Sequence, residues 1–600
     1  MKIFDYMRKF LKYILAAIPA AAMLATASCS ADFMEESDFP MSPETGKTPV
    51  LEFDGDNSVK VSKDGGEYEF SFKANLPWMM ESKASWITLT GETTGSGGKD
   101  NIKVSFSVTR NGTVNPREGE IRIWITDESE MLVKVSQEAT PIEELGSKWY
   151  VKTDGTGDGS SWSSATTLAN ALAKAVDNDK IFVAAGTHFP TEMIAGGSSP
   201  QDRTFFVAAN VTIEGGFPAN AKEGDTSDPL KNQTILSGNT ADGEVYHVMV
   251  VAAPKSEMFK VNVSGVTITG GKCNSTAQTL NINGAKIHRS YGGGVVIGNS
   301  NATFTDCIIT ANNSPKYCAG LYNADGAETR LLRCSVTDNT SGGNGAGIWN
   351  GATLYMKDCL VKGNTNTGVG AGIYCLNNNK TTNKVYIYNT AFLNNATDGS
   401  KASRRGGGAY LREGSEGIIA NCTFAGNTGA NGSAIALYGT ATLSSKLTVA
   451  SCTITGNESK FYGALESGPN TTLNIYNSIV SGNTCVNPGY ENIVVTKSDA
   501  PIQSLPAVLA YSIDGSTVYG KNKTVESGLS FDFETMLGAI RDGVIALTGT
   551  SNPATSNGMP LEELKAITTG MEPEIDQEIL SADQKGNKRT SDIMGSYIGQ

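Results

Sequence analysis

The hexapeptide Cys307-Ile-Ile-Thr-Ala-Asn312 recurs along the chain as Cys334-Ser-Val-Thr-Asp-Asn339, Cys359-Leu-Val-Lys-Gly-Asn364, Cys422-Thr-Phe-Ala-Gly-Asn427 and Cys452-Thr-Ile-Thr-Gly-Asn457. Two further copies have Thr390 and Ser478 in place of Cys, and they end at Asn395 and Asn483. Successive terminal Asn residues are 27, 25, 31, 32, 30 and 26 positions apart. Repeats of this length indicate a stacked array of short strands joined by loops of variable length.

Each copy alternates apolar and polar residues, which is the period of a strand with one buried face. Gly and Asn mark the turns between strands. The pattern predicts an all-β, right-handed parallel β-helix with one coil per repeat and rungs about 4.8 Å apart. Asn tolerates left-handed backbone and can hydrogen-bond to the next rung, so we interpret the Asn column as structural.

The repeated cysteines occupy equivalent inward positions, as small buried hydrophobes would. Neighbouring side chains in a stack point in parallel, which suits the torsion of a disulfide poorly. We therefore expect free thiols beyond Cys29. The chain has only three His and no Cys-x-x-Cys spacing, so no metal site is predicted from these residue types.

The net charge is -13 and the pI is near 5.0, with no basic tract beyond the extreme N-terminus. Nucleic acid is therefore not an expected partner. We expect a monomer, because a solenoid of this length forms one elongated body.

Residues 1–29 combine early basic residues, an apolar stretch from Tyr13 to Leu24, and Thr26-Ala-Ser-Cys29. This is the pattern of a signal peptide. The small residues before Cys29 resemble a bacterial lipobox, which implies cleavage, lipidation of Cys29 and anchoring in the outer membrane. The acidic residues that follow resemble the export signal of lipoproteins that face the cell exterior.

Residues 30–47 are acidic and turn-rich, and we interpret them as a tether. Residues 48–140 alternate in the manner of a small β-sandwich. Within them Trp86-Ile-Thr-Leu89, Asn115-Pro-Arg-Glu-Gly119 and Val133–Ala139 resemble a BACON domain. That family is Ig-like and was named for a proposed carbohydrate-binding role. The resemblance implies either a glycan-binding module or a spacer.

Residues 147–483 are assigned to the β-helix. Trp149–Trp162 and an amphipathic segment from Ala165 to Val176 resemble the N-terminal cap of pectate-lyase-like β-helices, where a short helix covers the first rung. Such a cap protects an otherwise unpaired edge. Asp154 and Asp158 are candidate calcium ligands here, with turn formation as the alternative.

Residues 484–600 are expected to form the last coils and the C-terminal cap. Asp583-Gln-Lys-Gly-Asn-Lys-Arg589, followed by Met594-Gly-Ser-Tyr597, resembles the C-terminal part of choice-of-anchor Q type β-helix proteins.

Consecutive copies also carry an aromatic residue one position after the apolar residue that follows the small-residue pair. These are Tyr322, Trp349, Tyr374 and Tyr410. Strand alternation places the rings outside if the apolar residues lie inside. One interpretation is an exposed stripe that stacks against sugar faces, and the other is an aromatic ladder covered by a long loop.

A charged column precedes the Cys position at Asp306, Arg333 and Asp358. An ion ladder between rungs is the structural interpretation. The functional interpretation is a polar binding face on the strands, because two carboxylates and an arginine are also the residue types used on acidic polysaccharides.

Together these patterns predict a cell-surface lipoprotein that binds a polysaccharide, a glycoconjugate or a host-surface polymer without catalysis. The predicted contact residues are the four aromatic residues with Asp306, Arg333 and Asp358. One alternative is a polysaccharide lyase, with calcium as its cofactor, or a glycoside hydrolase on the same face. Another is a protein-binding adhesin or structural stalk, because a fold does not by itself imply a function.

Overall fold

The computed structural model describes residues 47–53, 55–126, 128–141, 144–274, 278–379, 381–497, 500–502, 504–567, 569, 579–589 and 592–597. The predicted signal peptide, Cys29 and all but the last residue of the predicted tether lie outside these ranges. The chain divides into two compact units, Met1–Glu144 and Leu145–Gln600.

The first unit is a β-sandwich of two mainly antiparallel sheets. One sheet contains Leu51–Phe53, Gly66–Ala74, Lys99–Val108 and Ile87–Leu89, and the other contains Ser58–Val61, Ser129–Gln137, Arg117–Thr126, Trp78–Ser82 and Thr94–Gly95. Alternate residues of these strands point inward, as Val104, Phe106 and Val108 do, and they form a core between the sheets. The predicted sandwich is confirmed.

The second unit is a parallel β-helix whose coils contribute strands in turn to long parallel sheets. The first sheet contains Lys148–Val151, Lys180–Ala184, Thr212–Phe217, Val261–Ser264, Asn301–Thr305, Glu328–Leu332, Thr353–Lys357, Asn383–Tyr388, Ser415–Ala420, Ser445–Ala450, Thr471–Tyr476 and Val508–Ala510. The second sheet contains Gly186–His188, Thr234–Ser237, Val266–Thr269, Ile308–Thr310, Ser335–Thr337, Leu360–Lys362, Ala391–Leu393, Thr423–Ala425, Thr453–Thr455, Ile479–Val480 and Ser512–Asp514, extended by antiparallel Thr517–Tyr519 and Val525–Ser530.

The third sheet contains Phe205–Val207, Met249–Val251, Val295–Ile297, Leu321–Asn323, Ile348–Asn350, Ile373–Cys375, Ala409–Arg412, Ile435–Tyr438, Leu465–Ser467 and Ile493–Lys497, with Ala500–Ile502 antiparallel at its end. A fourth sheet of very short strands contains Asn313–Ser314, Thr340–Ser341, Thr365–Asn366, Ala396–Thr397, Thr428–Asn431, Glu458–Tyr462 and Thr484–Cys485. Antiparallel pairs outside these sheets are Asn239–Thr240 with Gly243–Glu244, Thr279–Ile282 with Ala285–His288, and Leu537–Arg541 with Val544–Leu547.

Helices are short and lie mainly at the ends of the solenoid. They are Leu168–Lys174, Phe533–Met536 and Leu561–Ala566, with 3₁₀ turns at Trp162–Ser164, Pro200–Asp202, Lys521–Lys523, Pro553–Thr555 and Ile579–Ser581. The predicted capping helix is Leu168–Lys174, where Thr167 caps the N-terminus and Leu168 and Leu172 join the core of the solenoid. None of the helices in the described part of the chain has the length and apolar character needed to span a bilayer.

The repeated hexapeptide builds the interior of the coils. Cys307, Cys334 and Cys359 are buried beside columns of Ile, Val and Leu, and Phe392 stacks on Phe424 with ring centroids 4.4 Å apart. The described cysteines are free thiols, and all but Cys485 are buried.

The terminal Asn of each repeat forms a buried ladder. Asn339 Nδ2 donates to Asn364 Oδ1 at 3.0 Å, Asn364 Nδ2 donates to Asn395 Oδ1 at 2.9 Å, and the pattern continues to Asn483. The same oxygens accept the backbone N–H of the preceding Asn, as in Asn339 N to Asn364 Oδ1 at 3.2 Å. The structural interpretation of this column is confirmed.

Candidate functional site

The charged column lies at the corner between the first and second sheets. Asp306, Arg333 and Asp358 have φ values of 52°, 53° and 57°, which is left-handed backbone. Asn389 and Asn421 occupy the equivalent corner in later coils, with φ values of 50° and 53°. The expectation that these residues lie on a strand face is therefore wrong. The chain turns between two strands at this point, and Asp and Asn suit that conformation better than most residues.

Arg333 and Asp306 form a two-point ion pair across neighbouring rungs. Arg333 Nε donates to Asp306 Oδ1 at 2.7 Å, and Nη2 donates to Oδ2 at 2.8 Å. This hydrogen bonding raises the pKa of Arg333. Asp358 accepts from Asn389 Nδ2 at 2.9 Å on the other side. The predicted ladder is thus present, and its side chains are exposed to solvent.

An open groove runs along this corner and the adjoining face of the second sheet. It comprises a cavity of about 990 Å³ and another of about 650 Å³, and both are lined by Arg333 and Ser335. The larger cavity is walled by residues 540–543 and 579–586, and the smaller one by residues 226–230. The groove therefore crosses several rungs, with Arg333 at the junction of the two cavities.

The groove carries cationic hydrogen-bond donors that form no ion pair within the described part of the chain. Lys357, Lys362 and Lys585 line the larger cavity, and their ammonium groups form no ion pair with the described residues. Asp306 and Asp358 already accept hydrogen bonds, whereas Asp542 adds an exposed carboxylate. The groups that remain available for hydrogen bonds to a ligand are therefore mainly the lysine ammonium groups.

The far wall of the groove is the C-terminal tail, which we define as residues 579–589 and 592–597. Buried Arg589 donates from Nη2 to Asn421 Oδ1 at 3.2 Å and to Gly595 O at 2.6 Å. Asp583 accepts the backbone N–H of Lys585 and of Asn587, both at 2.9 Å. The Asp583–Arg589 motif thus fastens the tail to a corner of the coils, and the tail lies along the side of the solenoid.

The four aromatic residues are in register, but they do not form a surface. Tyr322, Trp349, Tyr374 and Tyr410 pair in the third sheet and are only 3%, 3%, 0% and 4% exposed. The expectation of an exposed stripe is therefore wrong, and the alternative of a covered ladder describes the structure. Direct stacking of a polysaccharide on these rings would require the cover to open.

An inserted hairpin, Thr279–Ile282 paired with Ala285–His288, provides much of the cover. Its Leu280, Ile282 and Ile287 pack in the same cluster as the aromatic ladder. The hairpin turns at Asn283-Gly284, which both have positive φ, a known signature of a tight two-residue turn. Sequence reasoning missed this element, although alternating apolar residues around Asn-Gly are a signal for it.

Asp158, one of the two candidate calcium ligands near the N-terminal cap, has a structural role. Its Oδ1 accepts from Ser160 Oγ at 2.7 Å and from Ser164 Oγ at 2.8 Å. Hydrogen bonding from Ser160 and Ser164 lowers the pKa of Asp158 to about 2. Within the described residues no group of three or more His, Cys, Asp or Glu is placed to hold a metal ion.

Sequence reasoning also missed Lys357, Lys362, Lys585 and Asp542 as groove residues. Lys585 lies inside the Asp583–Arg589 motif, which was a usable signal, whereas the position of Asp542 depends on how the chain folds back. Loop residues such as Leu230, which is 94% exposed, belong to an insertion that the repeat does not specify.

Comparisons with known proteins agree with this division of the chain. Residues 77–138 match the family model "BACON: Putative binding domain, N-terminal", which places the match within the β-sandwich. A search of curated proteins gives no match.

Two solved structures show similarity at 12% sequence identity. Pectate lyase Pel9A has a TM-score of 0.41, covering 76% of this chain and 98% of its own. A Bacteroides ovatus GH5 xyloglucanase in complex with a XXXG heptasaccharide has a TM-score of 0.14, covering 28% of this chain. This chain spans 45% of that xyloglucanase.

Proposed function

We propose that the protein binds glycan chains in the groove along Asp306, Arg333 and Asp358, without cleaving them. The observation that carries this proposal is the open groove across successive rungs with the Arg333–Asp306 ion pair at its centre. A groove of this length and openness suits an extended polymer better than an enclosed small molecule.

The chemistry of the groove favours a glycan with carboxylate groups. The ammonium groups of Lys357, Lys362 and Lys585 form no ion pair with the described residues, whereas Asp306 is paired with Arg333. These lysines outnumber the unpaired carboxylates of Asp358 and Asp542 on the exposed lining. Charge-assisted hydrogen bonds from lysine or arginine to a carboxylate are among the stronger polar contacts. Ser335 and Asn389 on the lining add groups that suit sugar hydroxyls.

The geometry also gives a reason to prefer binding over a lyase reaction at Arg333. A lyase needs a base that accepts a proton beside a uronate, and a base with a raised pKa holds its own proton more tightly. Hydrogen bonds from Arg333 to Asp306 raise the pKa of this guanidinium. Arg333 is therefore better suited to binding a carboxylate than to abstracting a proton.

The test is affinity electrophoresis of the purified protein in gels containing polygalacturonate, xyloglucan, mucin or a microbial capsular polysaccharide. Arg333→Asn removes the guanidinium and keeps a residue that suits left-handed backbone, as Asn389 does in the equivalent corner. Retention by polygalacturonate should fall about tenfold or more in this variant, since a charged hydrogen bond contributes about 1.5–3 kcal/mol. Lys446→Ala, at an exposed lysine outside the groove lining, is the matched control and should not change retention.

The same samples are assayed for new reducing ends and unsaturated uronides. Retention without new ends supports the proposal. New ends would replace it with a lyase or hydrolase. Absence of retention on every polymer would overturn it in favour of a protein-binding adhesin.

The proposal includes attachment to the outer face of the outer membrane through lipid on Cys29, with the BACON-type unit as a spacer. It is supported by the signal-peptide pattern and the Thr26-Ala-Ser-Cys29 sequence. Cys29→Ser should move the protein from the membrane fraction to the soluble fraction. Intact cells should lose the wild-type protein on brief protease treatment, and full protection from protease would contradict an exterior location.

A further inference from the structure

A third cavity lies away from the groove, beside the third sheet. Its volume is about 390 Å³, and it lies between the outer strand of the hairpin and the ends of third-sheet strands. The lining residues are Gly284, Ala285, Lys286, His288, Asn299, Tyr322, Ala324, Asp325, Asn378 and Asn379. Small-ligand sites occupy roughly 300–1,000 Å³, so this pocket suits about one sugar ring.

Two insertions into the regular repeat converge to form this pocket. One is the hairpin that ends at His288, and the other is the loop carrying Asn378 and Asn379. The second loop lies in the 31-residue interval between Asn364 and Asn395, which is longer than the two preceding intervals. The coil does not need these extra residues to stack, so the pocket is an addition to the solenoid.

The loop is held over the pocket by polar contacts to the coil beneath it. Asn378 Nδ2 donates to the hydroxyl of Tyr322 at 3.1 Å, and Asn379 Nδ2 donates to Asp325 Oδ2. Tyr322 is otherwise buried, so its hydroxyl is the part of the aromatic ladder that borders this pocket.

Asp325 has bonding capacity that the described residues do not fill. Its Oδ1 is sheltered from solvent and has no hydrogen-bond partner among them. A carboxylate with too few donors is costly, and a ligand hydroxyl that donates to it from the cavity would offset part of that cost. Burial raises the pKa of Asp325, while backbone N–H groups of Asn378 and Asn379 and the charge of Lys286 oppose that rise.

We propose that this pocket binds one neutral sugar residue, at the end or at a branch of a glycan, through Asp325, Asn379 and the Tyr322 hydroxyl. A sugar hydroxyl both donates and accepts, so it can donate to a carboxylate and accept from an amide next to it. A neutral sugar suits this lining, because the charge of Lys286 already balances that of Asp325. This site is separate from the proposed groove and does not depend on it.

The test is titration of the purified full-length protein with methyl glycosides of glucose, galactose, mannose, xylose, N-acetylglucosamine and galacturonic acid, followed by saturation-transfer NMR. The expected Kd for at least one neutral glycoside is on the order of 1 mM, in line with the binding energy available to a ligand of this size. Asp325→Asn keeps the shape of the side chain and should weaken binding by about tenfold to a hundredfold. Asp338→Asn, at an exposed aspartate that lines neither the pocket nor the groove, is the matched control and should leave this binding unchanged.

Three results would overturn the inference: no binding of any neutral glycoside, binding that Asp325→Asn leaves unchanged, or binding of the galacturonate glycoside alone. Arg333→Asn is measured in parallel. Loss of glycoside binding in Arg333→Asn with retention in Asp325→Asn would assign the sugar to the groove and reject the pocket. Unchanged thermal unfolding of Asp325→Asn confirms that its effect is local.

Discussion

Replacing Trp349 with Ala should destabilise the solenoid, because the indole is part of a buried ladder. The ring centroid of Trp349 lies 4.7 Å from that of Tyr374 and 5.0 Å from that of Tyr291, and indole Nε1 donates to Leu376 O at 2.9 Å. Removal of a buried Trp side chain costs about 3–5 kcal/mol. The structure gives no mechanism by which this ring could contribute to glycan retention while its cover is closed.

The measurement is amide hydrogen exchange of the third sheet, which reports local opening of a solenoid that need not unfold in one step. Strands Leu321–Asn323, Ile348–Asn350 and Ile373–Cys375 should exchange roughly 10²–10³ times faster in Trp349→Ala, since each 1.4 kcal/mol is a factor of ten. Trp349→Phe keeps a ring but loses the bond to Leu376 O, and it should cost about 1–2 kcal/mol.

The reasoning would be refuted if Trp349→Ala left exchange in these strands unchanged. If the same variant also lost glycan retention, the ring would have to be accessible in solution. Exchange in the β-sandwich strands, which belong to the other unit, is the internal reference and should not change.

Three further predictions follow from buried polar groups. Asn395→Ala removes the side-chain hydrogen bonds of Asn395 to Asn427 and Val361, and it removes the acceptor used by Asn364. The free energy of unfolding measured by calorimetry should therefore fall by about 2–4 kcal/mol. A loss below about 0.5 kcal/mol would contradict a structural role for the Asn ladder. Burial raises the pKa of Asp514 from its usual 3.8 to about 7, so the folded state binds more protons than the unfolded state between these values. The free energy of unfolding should therefore fall as the pH rises from about 4 to 7. Asp514→Asn should flatten that slope in denaturant titrations, and an unchanged slope would refute the assignment. Arg289→Ala leaves the Asp202 carboxylate, whose side chain is 2% exposed, without its cation, so the free energy of unfolding in denaturant should fall by about 3–5 kcal/mol. Adding Asp202→Asn should recover part of that loss. If the effects of the two substitutions simply add, the pair does not contribute to stability.

The coil architecture could be predicted because the repeat is a direct consequence of stacking. Each rung must place an apolar residue inward and supply hydrogen bonds to the buried backbone of one turn, so Cys and Asn recur at fixed positions. Even the degenerate copies at Thr390 and Ser478 keep the phase, and both side chains are buried at the expected level.

The candidate site could be predicted only in part. Asp306, Arg333 and Asp358 can be found from the sequence because a charged residue precedes the Cys position in three consecutive copies. Asn389 and Asn421 at the equivalent position are a signal for left-handed backbone. Arg333 is not typical of that conformation, so the column is more easily interpreted as part of a strand. The groove walls could not be found, because they come from segments that follow no repeat.

The burial of the aromatic ladder could not be predicted from the repeat either, for a different reason. Register along the sheet follows from the repeat, and Tyr322 and Trp349 are indeed neighbours. Burial depends on what packs over the sheet, and that is the hairpin that ends at His288, which precedes the ladder in sequence. An outward-pointing residue of a solenoid is therefore not necessarily a surface residue.

The returning tail has a consequence for the order in which the parts of the protein fold. Coils of a solenoid can stack one after another, since each contacts mainly its neighbour. The tail bonds to Asn421, Thr423 and Asn477 from positions more than a hundred residues later. The rungs can therefore be complete while the groove still lacks its far wall, and the proposed binding surface is finished only when residues 579–586 have docked.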